Sequence, residues 1–262
     1  MHRICLFFAA LFFSLSGESQ SFNYDFSKDS VSWQELNSQT ILNSGNQAWN
    51  FCYKIPIGFT FNFLGAGFDS LRIETNGYLV FDANRDYAMT AFLGFGDCMD
   101  SSGNHSVLGY EVSGTSGSKI LKIQFKNIGS SKKSSKHLTY QVWLKESNGA
   151  VEIHIGPNDY QPGMIVTTDS SFVQSVLLDS LFQPTDSLVL VHDTIFTNRD
   201  SMQFYRVGLL NMNLDSSTKG FFIGGDVSSP ESQPVDDSHP DPIYMMRAPS
   251  CGTRYTFTPN SN

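Results

Sequence analysis

Large apolar and polar side chains alternate along much of this sequence, with a period of two residues. The clearest example is the run Phe59-Thr-Phe-Asn-Phe63. The alternation continues through residues 71–75 and 78–81, on either side of an Asn-Gly step at 76–77. A period of two is typical of half-buried strands, and Asn-Gly is a strong short-range signal for a β-hairpin. The pattern therefore predicts two paired strands with one face turned towards a core.

Similar short runs recur to the end of the chain, and turn-forming Gly, Ser, Asn and Asp occupy nearly every gap between them. No segment offers a dozen residues with the periodicity of an amphipathic helix. Many short strands separated by turns are typical of β-sandwiches and jelly rolls. We therefore expect an all-β, antiparallel, jelly-roll-like sandwich. Further predicted strands are 107–112, 120–125, 138–144, 151–155, 188–191, 204–210, 221–223 and 255–257.

One segment near the C-terminus breaks the alternation. Residues 228–250 contain five prolines together with several Asp residues. Because proline has no backbone N–H, this composition predicts an extended loop. A closing strand is expected at 254–258. So few residues follow the loop that this strand must pair with the sandwich, and residues 20–262 are therefore predicted to be one domain.

The N-terminus has the features of a secretory signal peptide. A short basic start precedes the apolar run Ile4–Leu15, which is too short to span a bilayer. The small residues Gly17 and Ser19 then precede Gln20, as at a cleavage site. We predict a signal peptide over 1–19 and a protein that is secreted, at the cell surface or in the periplasm; a buried N-terminal helix is the alternative. No later stretch reaches 18 consecutive apolar residues, so no membrane span is expected after the signal.

Composition narrows the class of partner. Charged residues make up 16% of the chain and aromatic residues 13%, which favours a packed, strand-rich globule over a disordered chain. The 17 Lys and Arg are outnumbered by 25 Asp and Glu, and the net charge is −8. Because nucleic-acid binding needs a basic surface, no nucleic-acid partner is expected.

Export changes the interpretation of the cysteines. Removal of residues 1–19 leaves Cys52, Cys98 and Cys251, an odd number, so at most one internal disulfide forms. The connectivity does not follow from sequence, but Cys98 and Cys251 both lie in loop-like contexts, and we predict that these two pair. The wide spacing contains no C-x-x-C motif, which argues against a zinc site or a redox dithiol.

The sequence contains no G-x-S-x-G elbow, H-E-x-x-H pair, phosphate-binding Gly-Lys-Ser/Thr loop or helix-opening G-x-G-x-x-G. We therefore expect no enzyme activity and no cofactor. Asp97, Asp100 and Asn104 offer oxygen ligands from one loop, as calcium prefers, and residues 236–241 form a second acidic loop. The alternative for both loops is simple hydration.

Other side chains are candidates for sugar chemistry. A carboxylate pair for glycoside hydrolysis would have to come from Glu74, Glu111, Glu146 and Glu152, whose mutual placement depends on the fold. A sugar-stacking platform would use Trp33, Trp49 and Tyr160, with burial in the core as the alternative. Trp143 lies inside an alternating run and is expected in the core.

Two blocks of sequence carry a family resemblance. Ile55-Pro-Ile-Gly-Phe-Thr-Phe-Asn-Phe-Leu-Gly65 and then Phe68 to Phe81, with its Thr-Asn-Gly-Tyr-Leu-Val-Phe end, resemble a block of surface-exported proteins of gliding, type IX-secreting bacteria. They are more loosely similar to nidogen-type extracellular domains. Later segments resemble the bacterial family in the same order: 90–96, 119–127, 140–146, 151–157 and 252–259. The resemblance implies a sandwich module on exported proteins. It includes no counterpart of their C-terminal sorting domain.

A tripeptide of Asp, then Ser or Thr, then an aliphatic residue occurs six times. It resembles the O-glycosylation acceptor of the same bacteria. The alternative is a local turn, since Asp and Ser side chains bond their own backbone. The resemblance implies O-glycosylation at Ser30, Ser70, Ser180, Ser187, Thr194 and Ser201.

Two functions are consistent with these features. The first is an exported, non-catalytic surface or envelope module that binds a glycan or protein partner in an adhesive or structural role. The alternative is a secreted carbohydrate-active enzyme whose two carboxylates converge only in the folded jelly roll. Predicted export, net acidity and the lack of a catalytic motif favour the first.

Overall fold

A computed structural model describes residues 24–44, 52–75, 77–91, 105–129, 137–159, 177–178, 184–185, 207–211, 220–224, 229–235 and 249–260. Within these ranges the chain forms strands and turns and contains no helix. The same ranges accordingly hold no helix that is long and apolar enough to cross a membrane. The predicted signal peptide, residues 1–19, lies outside the described part of the chain.

The described strands are numbered β1 to β16 in chain order. Their bounds are β1 Tyr24–Ser30, β2 Thr40–Asn43, β3 Cys52–Phe63, β4 Ala66–Glu74, β5 Tyr78–Val80, β6 Tyr87–Ala91, β7 Val107–Ser113, β8 Ile120–Ile128, β9 Leu138–Lys145, β10 Val151–Asn158, β11 Leu177–Leu178, β12 Pro184–Thr185, β13 Val207–Asn211, β14 Gly220–Gly224, β15 Glu231–Val235 and β16 Thr253–Pro259.

Two seven-stranded sheets make up the framework, and every pairing in them is antiparallel. Sheet A has the order β1-β16-β10-β9-β8-β7-β2, and sheet B has the order β15-β14-β13-β6-β5-β4-β3. The short strands β11 and β12 pair only with each other. Strands that are distant along the chain therefore become neighbours in both sheets.

The core lies between the two sheets because each sheet turns its apolar alternate residues inwards. Phe61 and Phe63 of β3 are fully buried, and Phe63 stacks on Phe81 with ring centroids 4.3 Å apart. Tyr140 of sheet A donates a hydrogen bond from its hydroxyl to the Ala91 carbonyl of sheet B at 2.8 Å. The predicted all-β antiparallel sandwich is confirmed.

The hairpin predicted from the Asn-Gly step is present between β4 and β5. The Gly77 N–H donates to the Glu74 carbonyl at 3.0 Å. Gly77 has φ of +98°, a conformation that glycine adopts without a side-chain clash. Beyond the turn, Arg72 of β4 lies opposite Val80 of β5. The two strands therefore pair on either side of the turn, as the alternation predicts.

The C-terminal region differs in part from the sequence prediction. A strand is present where the closing strand was expected: β16 lies between β1 and β10, with Phe257 opposite both Phe26 and Val151. However, the segment 228–250, expected to be a loop throughout, contains β15 at the edge of sheet B. An edge strand tolerates Pro234 because one side of its backbone has no strand to bond.

The chain between β1 and β2 crosses the outer surface of sheet A. β1 lies at one edge of the sheet and β2 at the other, so residues 31–39 must pass over the strands between them. We call these residues the crossing segment. Its Val31 N–H donates to the Gly252 carbonyl at 2.7 Å, and its Leu36 N–H donates to Gln124 Oε1 at 3.2 Å. The crossing segment is thus held at both ends of its path.

Candidate functional site

The outer surface of sheet A carries charged and aromatic side chains in rows that run across the strands. The register places Glu152, Trp143 and Lys122 in one row, and His154 lies opposite Arg254 in the next. These positions face outwards because they alternate with the buried ones. Together with a lysine at the end of β9 they form what we call the Trp143 face: Lys122, Trp143, Lys145, Glu152, His154 and Arg254.

Glu152 lies at the centre of the Trp143 face. Its side chain is only 4% exposed. It accepts hydrogen bonds from Lys145 Nζ at 2.5 Å and from His154 Nε2 at 2.9 Å, and Arg254 Nη1 lies 3.7 Å from its Oε1. Three basic side chains from three strands therefore surround one carboxylate.

These contacts fix the charge of Glu152. Burial alone would raise the pKa of Glu152, but the hydrogen bonds and charges of His154 and Lys145 outweigh burial and lower the pKa to about 2. Glu152 is therefore ionised at neutral pH and only accepts hydrogen bonds, so His154 Nε2 carries the hydrogen between them. The arrangement holds a permanent charge in place and is unsuited to proton transfer by Glu152 near neutral pH.

A second ion pair ties the Trp143 face to β1. Arg254 donates from Nε to Asp29 Oδ1 at 2.8 Å and from Nη2 to Asp29 Oδ2. This two-point contact raises the pKa of Arg254, and it lowers the pKa of Asp29. The guanidinium is thus held between Asp29 and Glu152, with its plane fixed by the pair with Asp29.

Trp143 corrects one prediction. It was expected in the core but lies partly exposed on the outer surface, and the core-facing positions of its strand are instead Leu138, Tyr140, Val142 and Leu144. The physical reason is that β9 is covered on both sides, so large side chains occur in both phases of the alternation. Periodicity alone then does not show which phase faces the core.

The indole of Trp143 is held by three contacts. The His154 ring stacks on it, with centroids 4.1 Å apart and planes 20° from parallel. Lys122 Nζ lies 4.7 Å from the indole ring centroid, within the range of a cation–π interaction. The indole Nε1 donates to Gln141 Oε1 at 2.8 Å. The ring therefore has a fixed orientation before any partner binds.

Gln141 connects the Trp143 face to the crossing segment. Its Nε2 donates to the Gln34 carbonyl at 2.9 Å and to Gln124 Oε1 at 2.8 Å. Both glutamine side chains are buried, and the crossing segment supplies the backbone groups that they bond. The crossing segment thus forms one border of the Trp143 face.

Sequence reasoning did not bring this cluster together. Trp143 and Lys145, and likewise Glu152 and His154, share the outward phase of their strands at a spacing of two, which is the one available signal. The sheet order, which sequence alone does not give, makes their strands neighbours. Arg254 arrives from β16, far along the chain.

Two of the four candidate carboxylates are engaged away from the Trp143 face. Glu74 lies on sheet B and pairs with Arg85. Glu146 follows β9 and accepts a hydrogen bond from the Lys119 backbone N–H at 2.9 Å. Neither carboxylate is therefore placed to pair with Glu152.

The other two candidates share a row but stand far apart. Glu111 of β7 pairs with Lys122 at 3.1 Å, and β8 and β9 separate it from Glu152 of β10. Three strand spacings amount to about 14 Å, whereas glycosidase carboxylates lie roughly 5–9.5 Å apart. Glu111 and Glu152 do not form such a pair.

Several predicted sites fall wholly or partly outside the described residues. The calcium candidates Asp97, Asp100 and Asn104 lie outside, and no group of three His, Cys, Asp or Glu that could hold a metal occurs in the described ranges. Cys98 also lies outside. Cys251 and Cys52 are both exposed, and the pairing of Cys98 with Cys251 stays a prediction.

The described glycosylation and stacking candidates have different surroundings. Ser30 is exposed at the end of β1, and Ser70 is partly buried in β4. The ring of Trp33 lies against Gly156, where an added Cβ would meet it at 2.7 Å. The remaining candidates lie outside the described residues: Ser180, Ser187, Thr194, Ser201, Trp49 and Tyr160.

Comparison with known proteins identifies a family. A family model described as NIDO related matches residues 23–206. No curated protein and no solved structure matches this chain. The nidogen-like part of the sequence resemblance is thereby supported at the level of the family.

Proposed function

Because the chain belongs to the NIDO-related family, we propose that it is an exported, non-catalytic module that binds a protein partner through the Trp143 face. Export rests on the predicted signal peptide at 1–19 and on the resemblance to surface-exported proteins of gliding bacteria. The proposed location is the cell surface, the periplasm or the medium. The proposed role is adhesion or support of an envelope assembly.

The main support for this proposal is the cluster of fixed side chains around Trp143 and Glu152. Tryptophan and arginine are the residue types most enriched where binding energy concentrates in protein interfaces. Here Arg254 is fixed by Asp29, and the indole is fixed by His154, Lys122 and Gln141. Side chains that are already ordered lose less conformational entropy on binding, which favours affinity.

The contacts of Trp143 favour a protein over a glycan at this face. A sugar stacks on an open aromatic ring face, but His154 already stacks on the indole and Lys122 lies over it. Trp33, the other described stacking candidate, packs onto Gly156. The Trp143 face is instead a rigid sheet surface that carries both basic and acidic side chains. The carbohydrate-active alternative draws no support from Glu74, Glu111, Glu146 and Glu152.

Site-specific photo-crosslinking in the native host tests the proposal. A benzophenone amino acid is placed at Thr256, which lies beside Glu152, and in a control chain at Thr60, which is exposed on sheet B. We expect a discrete protein adduct from position 256 and none from position 60. The purified wild-type chain should compete for the adduct, and a Lys122→Glu chain should not.

A glycan array with the wild-type and Trp143→Ala chains provides the second measurement. Adducts from both positions, or competition by Lys122→Glu equal to that of wild type, would show that the Trp143 face is not the docking surface. Glycan binding that is lost in Trp143→Ala would replace the protein partner with a sugar at this face.

A further inference from the structure

A depression on the outer surface of sheet B is lined by basic side chains. Lys54 of β3 and Arg72 of β4 lie directly opposite each other. The depression has a volume of about 240 Å³, and its lining also includes Ser70 and the loop residues Asp82 and Ala83. It lies on the opposite sheet from the Trp143 face.

The two basic side chains stand without an acidic partner among the residues that the structure describes. Neither Lys54 nor Arg72 forms an ion pair within the described part of the chain. Like charges directly opposite each other on neighbouring strands are destabilising. A bound anion would relieve this repulsion, and the chain as a whole has a net charge of −8, so a local excess of positive charge is unusual for it.

Arg72 also builds one wall of the depression. Its Nη2 donates to the carbonyls of Asp82 at 2.8 Å and Ala83 at 3.3 Å, which holds this loop against the sheet. Its Nε is buried and has no hydrogen-bond partner among the described residues. The pair of Arg85 with Glu74 ties the same loop down a second time. The depression is therefore preformed.

The one acidic side chain in the lining is hydrogen-bonded within its own loop. Asp82 accepts hydrogen bonds from the Tyr87 N–H at 3.0 Å and from the Asn84 N–H at 3.2 Å. Its carboxylate therefore orders the loop and forms no ion pair with Lys54 or Arg72 among the described residues. Counting Lys54, Arg72 and Asp82, the lining keeps a net positive charge.

We propose that this depression binds an acidic sugar residue of a glycan, with Lys54 and Arg72 contacting its carboxylate or sulfate group. Binding sites for drug-sized ligands are typically 300–1,000 Å³, so about 240 Å³ suits a single sugar residue. Val80, which lies opposite Arg72, is the apolar lining residue on the outward side of the sheet and faces the C–H side of the sugar ring. The site is independent of the partner proposed for the Trp143 face.

Isothermal titration calorimetry of the full chain tests the proposal with four defined probes. These are a hexasaccharide of polygalacturonate, a sulfated galactan hexasaccharide, neutral maltohexaose and inorganic phosphate. We expect at least one acidic hexasaccharide to bind, with an affinity that falls as salt rises, and maltohexaose not to bind. Which acidic probe binds more tightly identifies the anionic group as carboxylate or sulfate.

Three variants locate the binding. Lys54 is exposed and holds no other group in place, so Lys54→Gln should fold normally and weaken binding at least about fivefold. Arg72→Gln should abolish binding, and Arg72→Lys should restore part of it. Lys126→Gln, a lysine change on sheet A outside the Trp143 face, should alter the affinity less than about twofold.

Binding of phosphate alone, equal binding of neutral and acidic sugars, or no binding of either acidic hexasaccharide would overturn the proposal. So would equal losses in Lys54→Gln and Lys126→Gln, since these would indicate nonspecific attraction. None of these outcomes bears on the crosslinking at the Trp143 face.

Discussion

At the scale of single residues, Glu152 illustrates how a nearly buried carboxylate stays charged on this sandwich. Removing an ion from water is costly, and a buried ion is tolerated only when partners replace its hydration. Lys145 and His154 donate hydrogen bonds to Glu152, and the Arg254 guanidinium adds a positive charge 3.7 Å from its Oε1. Glu152 thereby fixes the three basic side chains that the Trp143 face presents.

The lowered pKa of Glu152 predicts a specific pH dependence of stability. Its folded-state pKa of about 2 lies below the ordinary 4.5, so the ionised form favours the folded state. The contribution is complete above about pH 4.5 and is lost as pH falls towards 2. The loss amounts to about 3 kcal/mol. Urea unfolding at intervals between pH 7 and 2 measures it.

The variant Glu152→Gln isolates this residue. At pH 7 we expect its free energy of unfolding to fall by about 3 kcal/mol, because Lys145 and His154 lose the carboxylate that they bond, whereas Arg254 keeps a second acidic partner, Asp29. At pH 2 it should approach the wild-type value. Glu111→Gln, a change in the same row that affects one more exposed ion pair, should cost under about 1 kcal/mol. Equal costs in the two variants would contradict the central role of Glu152.

At the scale of elements, the crossing segment packs onto β10 through a close contact between the Trp33 ring and Gly156. A Cβ added at Gly156 would lie 2.7 to 2.9 Å from ring atoms of Trp33, closer than packed atoms tolerate. We predict that Gly156→Ala lowers the free energy of unfolding by roughly 1–3 kcal/mol, because the ring must move off β10. Urea denaturation of the purified variant measures the change.

A double-mutant cycle shows whether the ring is the cause. In a Trp33→Ala background the obstacle is gone, so Gly156→Ala should cost less than about 0.5 kcal/mol. If the cost is the same in both backgrounds, the close approach between Gly156 and Trp33 does not account for it.

The strands also show how much of the fold the sequence predicts. The hairpin at Gly77 was predictable because its signal is local, in the turn and the two adjoining alternations. β1 was not predicted, since it gains its stability from pairing with β16, as in Asp29 opposite Arg254. The Trp143 face was missed for a related reason: β8, β9 and β10 follow one another along the chain, but Arg254 comes from β16, which joins them only through the sheet order.

At the scale of the whole molecule, the family match and the folded unit have different limits. The match ends at residue 206, but β13 to β16 follow it. β13 pairs with β6 and β14 in sheet B, and β16 fills the place between β1 and β10 in sheet A. Both sheets therefore need residues from beyond the match.

A chain of residues 20–206 should accordingly fail to fold. It lacks core residues that include Val207, Leu209, Ile223, Tyr255 and Phe257, and β1 loses its partner. We expect no cooperative urea transition and strong binding of a hydrophobic dye, whereas a chain of 20–260, which keeps β16, should unfold cooperatively like 20–262. A cooperative transition in 20–206 would mean that the matched region folds alone and that β13 to β16 add to a finished core. Loss of the transition would mean that β13 to β16 together are a condition of folding, because they supply core residues and strand pairings to both sheets.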